Sequence, residues 1–379
     1  MKKIFFIHRQ STMFGELKAK FNGQMRACQN LGYDVYYLEW NGNEIDLVQF
    51  GTDKRKCMVK TPLIMPMETY YHIVYHSKLY KAAAKAFKTV HFDYVYMRSN
   101  VAMPSVKEMI AAVPNDTKFF LEIPTYPFEE DAAGHKGLKW TVGRAISDKY
   151  APIYQNRADQ IILISVDDVP ELFGRPTFSI ENGTDTETLK KREPVKSDKI
   201  HILCLANMRD YHGYDRVIEG LAVYPDKDRV IVDFVGRDAD GCLSRWKELA
   251  HEKGLDSYIC YHGPVYGEGL DELFDLADVG MGCLAGFRKH TYDTNELKVR
   301  DYMGRGLPFV QTLHDSAIPQ DYPYALKISN DNTPVDIQAV VALAERCRND
   351  KNCVDNMRSY AAEHMSWTAQ FKKLFSEIG

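Results

Sequence analysis

The segment Asp293-Thr-Asn-Glu-Leu-Lys-Val-Arg-Asp301-Tyr-Met-Gly-Arg-Gly-Leu-Pro308-Phe-Val carries two acids eight residues apart. Its pattern predicts a short helix over residues 296–303, capped by Asn295, stopped by Gly304 and Gly306, and followed by a buried strand at 307–310. One acid precedes the helix and the other lies a little over a turn inside it. A helix start offers free backbone N–H groups and a positive dipole end, which suit a diphosphate. A carboxylate about a turn further in can accept hydrogen bonds from ribose hydroxyls. Together these features point to a nucleotide-sugar site.

The elements that must position such a site alternate along the chain. Residues 3–7 read as a buried strand, 17–31 as an amphipathic helix stopped by Gly32, and 35–38 as the next strand. A helix over 70–87, a strand at 94–97, a helix over 106–113 and strands at 119–122 and 161–164 follow. Residues 187–198 are polar and charged, the composition of a linker. The alternation then restarts, with strands at 200–205, 230–235, 259–262 and 279–283 and helices at 214–222, 243–253 and 270–277. This order predicts an α/β protein of two Rossmann-like doubly wound domains facing a cleft, residues 1–186 and 187–366. Ligands of such sheets gather at the carboxyl ends of the strands.

Bulk properties agree with this frame. A chain of 379 residues exceeds one ordinary core. Its 45% apolar and 26% charged residues are those of a globular protein, and a net charge of −4 gives no nucleic-acid signature. The eight cysteines never form C-x-x-C and are expected to be buried thiols in a reducing compartment. The Met1–His8 stretch is too short in apolar residues for a secretory signal, and a cytoplasmic location is expected. The twelve histidines are scattered, and Asp238-Ala-Asp240 follows a strand as a turn would, so no metal constellation is expected.

Four stretches, taken in order, resemble the GT-B fold glycosyltransferases, in particular the retaining family 4 (group 1) enzymes. Ser179-Ile-Glu-Asn-Gly-Thr-Asp185 resembles the family's Asn-Gly-Val-Asp junction, and Leu205-Ala-Asn-Met-Arg-Asp-Tyr-His-Gly-Tyr-Asp215 its phosphate loop. Phe234-Val-Gly236 and Tyr261-His-Gly-Pro-Val265 resemble two strand ends. Asp293 to Pro308 resembles the E-x7-E motif running into Gly-Leu-Pro, with aspartates in place of both glutamates.

The resemblance implies a hexosyltransferase of polysaccharide biosynthesis that moves a sugar, with retention, from a nucleoside diphosphate to a hydroxyl acceptor. No cofactor or metal is implied; the donor substrate would be a UDP-sugar in preference to others. Arg209, His212, Gly213, Glu296, Leu297, Lys298 and Asp301 would bind the donor, with Asp301 on ribose. Asp293 and Glu122 would be the catalytic carboxylates, with Glu122 in an acceptor pocket beside Tyr126, Glu129 and Glu130. His212 stands where the family has lysine, so its charge is expected to follow an imidazole pKa of about 6.5, raised by the bound anion. A C-terminal helix, residues 367–379, would return to the first domain. Residues 135–150 mix basic and apolar side chains and could lie on an anionic membrane, presenting a lipid-linked acceptor at its cytoplasmic face. A nucleotide-sugar epimerase of the same fold and a non-catalytic GT-B-like partner subunit are the alternatives.

Overall fold

The computed structural model describes residues 1–12, 17–61, 74–124, 138–165 and 169–378. The chain forms two compact units, one of Met1–Glu181 with Trp367–Gly379 and one of Asn182–Ser366.

The first unit opens on β1 (Lys3–Ser11), whose Ile4, Phe5, Phe6 and Ile7 are fully buried, as a strand covered on both faces requires. Helix α1 (Lys18–Asn30) leads to β2 (Asp34–Trp40). An antiparallel pair, β3 (Glu44–Gln49) and β4 (Arg55–Lys60), follows at the sheet edge, where the sequence pattern suggested no strands. Then come α2 (Tyr75–Phe87), β5 (Tyr94–Arg98), α3 (Val106–Ala112), β6 (Lys118–Ile123), α4 (Leu138–Arg157), β7 (Gln160–Ile164), β8 (Glu171–Leu172) and β9 (Arg175–Ile180). Among the described residues the sheet runs β4-β3-β2-β1-β5-β6-β7-β9-β8, parallel from β2 to β9.

The second unit is parallel throughout. Its elements are β10 (Ile200–Leu205), α5 (Asp215–Val223), β11 (Val230–Val235), α6 (Cys242–Glu252), β12 (Ile259–Gly263), α7 (Glu268–Leu276), β13 (Val279–Met281), α8 (Leu297–Arg305), β14 (Phe309–Gln311), β15 (Ala325–Lys327), α9 (Ile337–Asn349) and α10 (Cys353–Tyr360). The strand order β12-β11-β10-β13-β14-β15 is the dinucleotide-binding Rossmann order. It reverses between β10 and β13, so a crevice opens above their carboxyl ends. The last helix, α11 (Trp367–Ile378), packs in the first unit, where Trp367, Phe371 and Leu374 join Ile4, Phe6 and Tyr96 in one core.

Helix α8 corrects the expected capping. Glu296, not Asn295, is its N-cap, and Gly304 lies inside it. Gly306, at φ +84°, is the left-handed stop that a residue with a Cβ adopts only with strain. Residues 187–198 do not hang free either: Lys190 pairs with Asp275 at 2.8 Å, and the backbone N–H of Arg192 donates to the Arg305 carbonyl. Two of the eight cysteines, Cys57 and Cys260, are exposed, against the expectation of burial. No helix among the described residues is long and apolar enough to cross a membrane.

Arg300 fixes α8 in place. Its guanidinium makes a two-pronged pair with Asp315, at 2.6 and 3.1 Å, and donates through Nε to the Asn182 carbonyl at 2.9 Å, with both side chains wholly buried. Removing one partner strands the other charge. Asp315→Ala should therefore lower unfolding free energy by about 3–5 kcal/mol in urea titrations, while the paired R300M/D315L change should recover most of it.

Candidate nucleotide-binding site

A cavity of about 700 Å³ opens in the second unit above the carboxyl ends of β10, β11 and β12 and beside the start of α8. Leu205, Val235 and Cys283 form its floor near the strand ends, and Pro264, Val265 and Tyr266 one wall. Its size and placement suit a nucleotide-sized ligand.

The loop after β10 is built by side-chain and backbone bonds to its neighbours. Residues Asp210–His212 make one 3-10 turn, and Gly213 closes it at φ +66°. A Cβ on Gly213 would sit 2.6 Å from that of Ala285, so this glycine is needed where two loops pack. Gly213 does not line the cavity, and its expected contact with phosphate gives way to this packing role. The neighbouring loop is held by Leu284 N–H donating to His212, and by Arg288 on Asp215 at 3.0 and 2.7 Å.

His212 lines the cavity but is not the expected cation. Its Nδ1 accepts the Arg209 backbone N–H at 3.0 Å, which leaves Nε2 to carry the proton of a neutral ring. Burial, then the nearby ammonium groups of Lys298 and Lys289, pull its pKa down to about 2. The positive charge of the site comes from other side chains. Arg209 and Lys289 line the cavity, and neither is paired with a carboxylate among the described residues. Lys289 lies over the Tyr211 ring, 4.5 Å from its centre. The sequence reading passed over both Lys289 and Tyr211; the basic run Arg288-Lys289-His290 is the signal that marks the first.

Helix α8 brings the remaining groups. Lys298 lies 3.2 Å from the Tyr214 hydroxyl and 3.3 Å from Glu296. Glu296 turns both oxygens to the Cys283 backbone N–H, at 3.2 and 3.1 Å, so its charge is occupied although it borders the cavity. Asn182 donates to the Asn295 carbonyl and Oδ1, pinning the residues before the helix. Leu297 is 40% exposed at the cavity rim.

Asp301 lines the same cavity without a hydrogen bond or ion pair among the described residues. Burial pushes its carboxyl up to about 6 against the pull of Arg305. The lone pairs of this carboxylate are therefore open to the cavity.

Two expected catalytic acids are placed elsewhere. Asp293 is not among the cavity-lining residues; it is exposed and bonded to His314 at 2.9 Å. Glu122, on β6 of the first unit, is fully buried between Arg98 at 2.5 Å, Lys20 at 3.6 Å and the Gln24 and Tyr96 donors at 2.8 Å. Burial alone would raise its carboxyl, but Lys20, Arg98 and these donors overcome that and hold it down at about 2. Its oxygens are thus engaged by neighbours of its own unit, and its side chain has no exposed surface. The acceptor residues Tyr126, Glu129 and Glu130 lie outside the described residues. The carboxylates of Asp238 and Asp240 accept the backbone N–H groups of Gly241 and Cys242, as a turn requires.

Two measurements check these assignments. Between about pH 4 and 6 the native protein holds the Asp301 proton that the unfolded chain releases, so stability falls as pH rises through that window. Asp301→Asn lacks this fall and should match wild type near pH 4 yet exceed it near pH 7 by about 1–2 kcal/mol in denaturant titrations. His212, neutral across the working range, should add no pH dependence of its own; nucleotide affinities of wild type and His212→Gln should run parallel between about pH 6 and 8.5.

No sequence-family model matches the chain, and no curated protein aligns with it significantly. Solved structures match it from end to end. Sucrose-phosphate synthase from Thermosynechococcus elongatus superposes with a TM-score of 0.60 at 14% identity, covering 100% of this chain and 99% of that one. Anabaena HepE in complex with UDP gives 0.58 at 12%, and the catalytic domain of starch synthase IV from Arabidopsis thaliana, bound to ADP and acarbose, 0.62 at 9%, each with the same coverages. With its two Rossmann-like units and this full-length likeness, the chain has the GT-B fold.

Proposed function

We propose that the protein is a glycosyltransferase whose second unit binds a nucleoside-diphosphate sugar and whose acceptor is a hydroxyl group. The Asp301 carboxylate, which has no partner among the described residues, in a cavity also lined by Arg209 and Lys289, which pair with no carboxylate among them, is the observation that carries this reading. Asp301 would accept from the ribose hydroxyls. Arg209, Lys289 and the free N–H groups at the start of α8 would hold the diphosphate, with Lys298 beside them. His212 would donate one neutral hydrogen bond. UDP and ADP are named in the structures of HepE and starch synthase IV; a UDP-sugar is the donor proposed here.

Transfer with retention would proceed by front-side attack. Neither Glu122 nor Asp293 stands at the cavity, so the departing diphosphate itself would take the acceptor's proton while Arg209 and Lys289 neutralise its growing charge. Helix α4, with Val142 50% exposed among charged neighbours, would rest on an anionic membrane surface and present a lipid-linked acceptor. The position of Asp293 outside the cavity favours one second reading, a donor-binding subunit without activity of its own.

Calorimetric titration with UDP and with 2′,3′-dideoxy-UDP tests the site. Wild type should prefer UDP by about 1–3 kcal/mol, and Asp301→Asn should lose most of that preference. Arg209→Ala and Lys289→Ala should weaken both ligands alike. Equal binding of the two nucleotides by wild type would remove Asp301 from the ribose. Slow hydrolysis of a UDP-sugar by wild type separates the enzyme from the inactive subunit.

A further inference from the structure

Three neighbouring strands of the second unit carry a cluster that the cavity does not use. His201 on β10, Asp233 on β11, and Cys260 and His262 on β12 share one face of the sheet, because Leu203 pairs with Asp233 and Asp233 with Cys260 in the parallel register. Asp233 is only 5% exposed. One of its oxygens lies 2.9 Å from His201 Nδ1 and the other 2.7 Å from His262 Nε2. Among the described residues no Lys or Arg pairs with it. Both oxygens of this buried carboxylate are thus directed at imidazole nitrogens, a grouping of oxygen and nitrogen donors that metal sites share.

The same face also carries a thiol within reach of these groups. Ligand atoms of Asp233, Cys260 and His262 all lie within 4.8 Å of one another. Tetrahedral zinc, with bonds of about 2.0–2.3 Å, holds its ligand atoms roughly 3–4 Å apart, a spacing reached here by small side-chain rotations. One thiolate, one imidazole and one carboxylate form a donor set that suits zinc and not magnesium or calcium. The side chain of His262 keeps 31% of its surface and Cys260 is exposed, so an ion can enter from solvent.

We propose that this face binds a zinc-class divalent cation through Cys260, His262 and Asp233. His201 holds the second carboxylate oxygen and orients it. Binding displaces the thiol proton of Cys260 to solvent. None of the four residues lines the nucleotide cavity. The bound ion would clamp the edge strand β12 to β11, two residues before Pro264 enters the cavity wall. The scattered spacing of these residues explains why the sequence showed no metal pattern: the ligands meet only across the sheet.

The test uses the full chain, stripped of metal by a chelator, with zinc and then cobalt as probes. Wild type should bind one equivalent of zinc with a rise in melting temperature, and the cobalt form should show a near-ultraviolet thiolate-to-metal band. The C260S/H262Q double variant replaces two accessible side chains and should keep its fold, lose the band and lose the zinc-dependent rise. His201→Gln should retain the band but weaken binding by about 10- to 100-fold, the effect of removing an orienting partner. Absence of the cobalt band in wild type overturns the proposal. So does zinc binding undiminished in the double variant, which would place the ion at Glu44, Asp46 and Cys57 or at Asp238, Asp240 and Cys242.

Discussion

The buried Arg300–Asp315 pair holds the direction of one short helix, and the cavity of the second unit depends on that direction. Arg300 is flanked in sequence by the cavity residues Lys298 and Asp301, which point to the other side of the same turns. A helix of nine residues has little stability of its own, so its orientation comes from tertiary bonds. The guanidinium ties α8 to Asp315 on the chain after β14 and to the Asn182 carbonyl, while the Asn182 amide grips Asn295 just before the helix. The ion pair therefore contributes geometry more than net free energy.

Inside the cavity, paired and unpaired charges stand side by side: Lys298 meets Glu296 at 3.3 Å. Structural acids elsewhere are saturated: Glu122 has two cations and two donors, and Asp278 meets Arg348 at 2.6 Å. Asp301, Arg209 and Lys289 are left without such partners among the described residues. Unsatisfied groups of this kind lower the stability of the empty protein and are the usual signature of a ligand site.

The parts of this architecture that follow local rules were legible in the sequence. Strands such as Phe5–Ile7 are apolar enough to be read directly, the glycine stop at Gly306 is a local conformational demand, and Asp301 sits at a fixed offset into its helix. The antiparallel pair β3–β4 was missed because its exposed edge strand, Arg55–Lys60, is largely polar and reads as a loop. The surroundings of the site residues depend on contacts distant in sequence. Nothing near Glu122 shows that Lys20, Gln24 and Arg98 converge on it, and nothing near Asp293 announces His314. The neutrality of His212 follows from burial and from Lys289 and Lys298, all properties of the folded loops rather than of the motif.

The return of α11 to the first core has a bearing on how the chain is made. On the ribosome, residues 182–366 emerge after the first sheet is complete but before the helix that covers one of its faces. At about 5–20 residues per second this interval lasts on the order of ten to forty seconds. Throughout it, Phe6, Tyr96 and Phe120 lack Trp367 and Phe371 as a lid and present an aromatic surface to solvent or to a chaperone. The inserted unit, whose sequence is continuous, can close first. Slow elongation through it lengthens the time for which the nascent first unit is adhesive, so synthesis rate, and not only final stability, governs the yield of soluble protein.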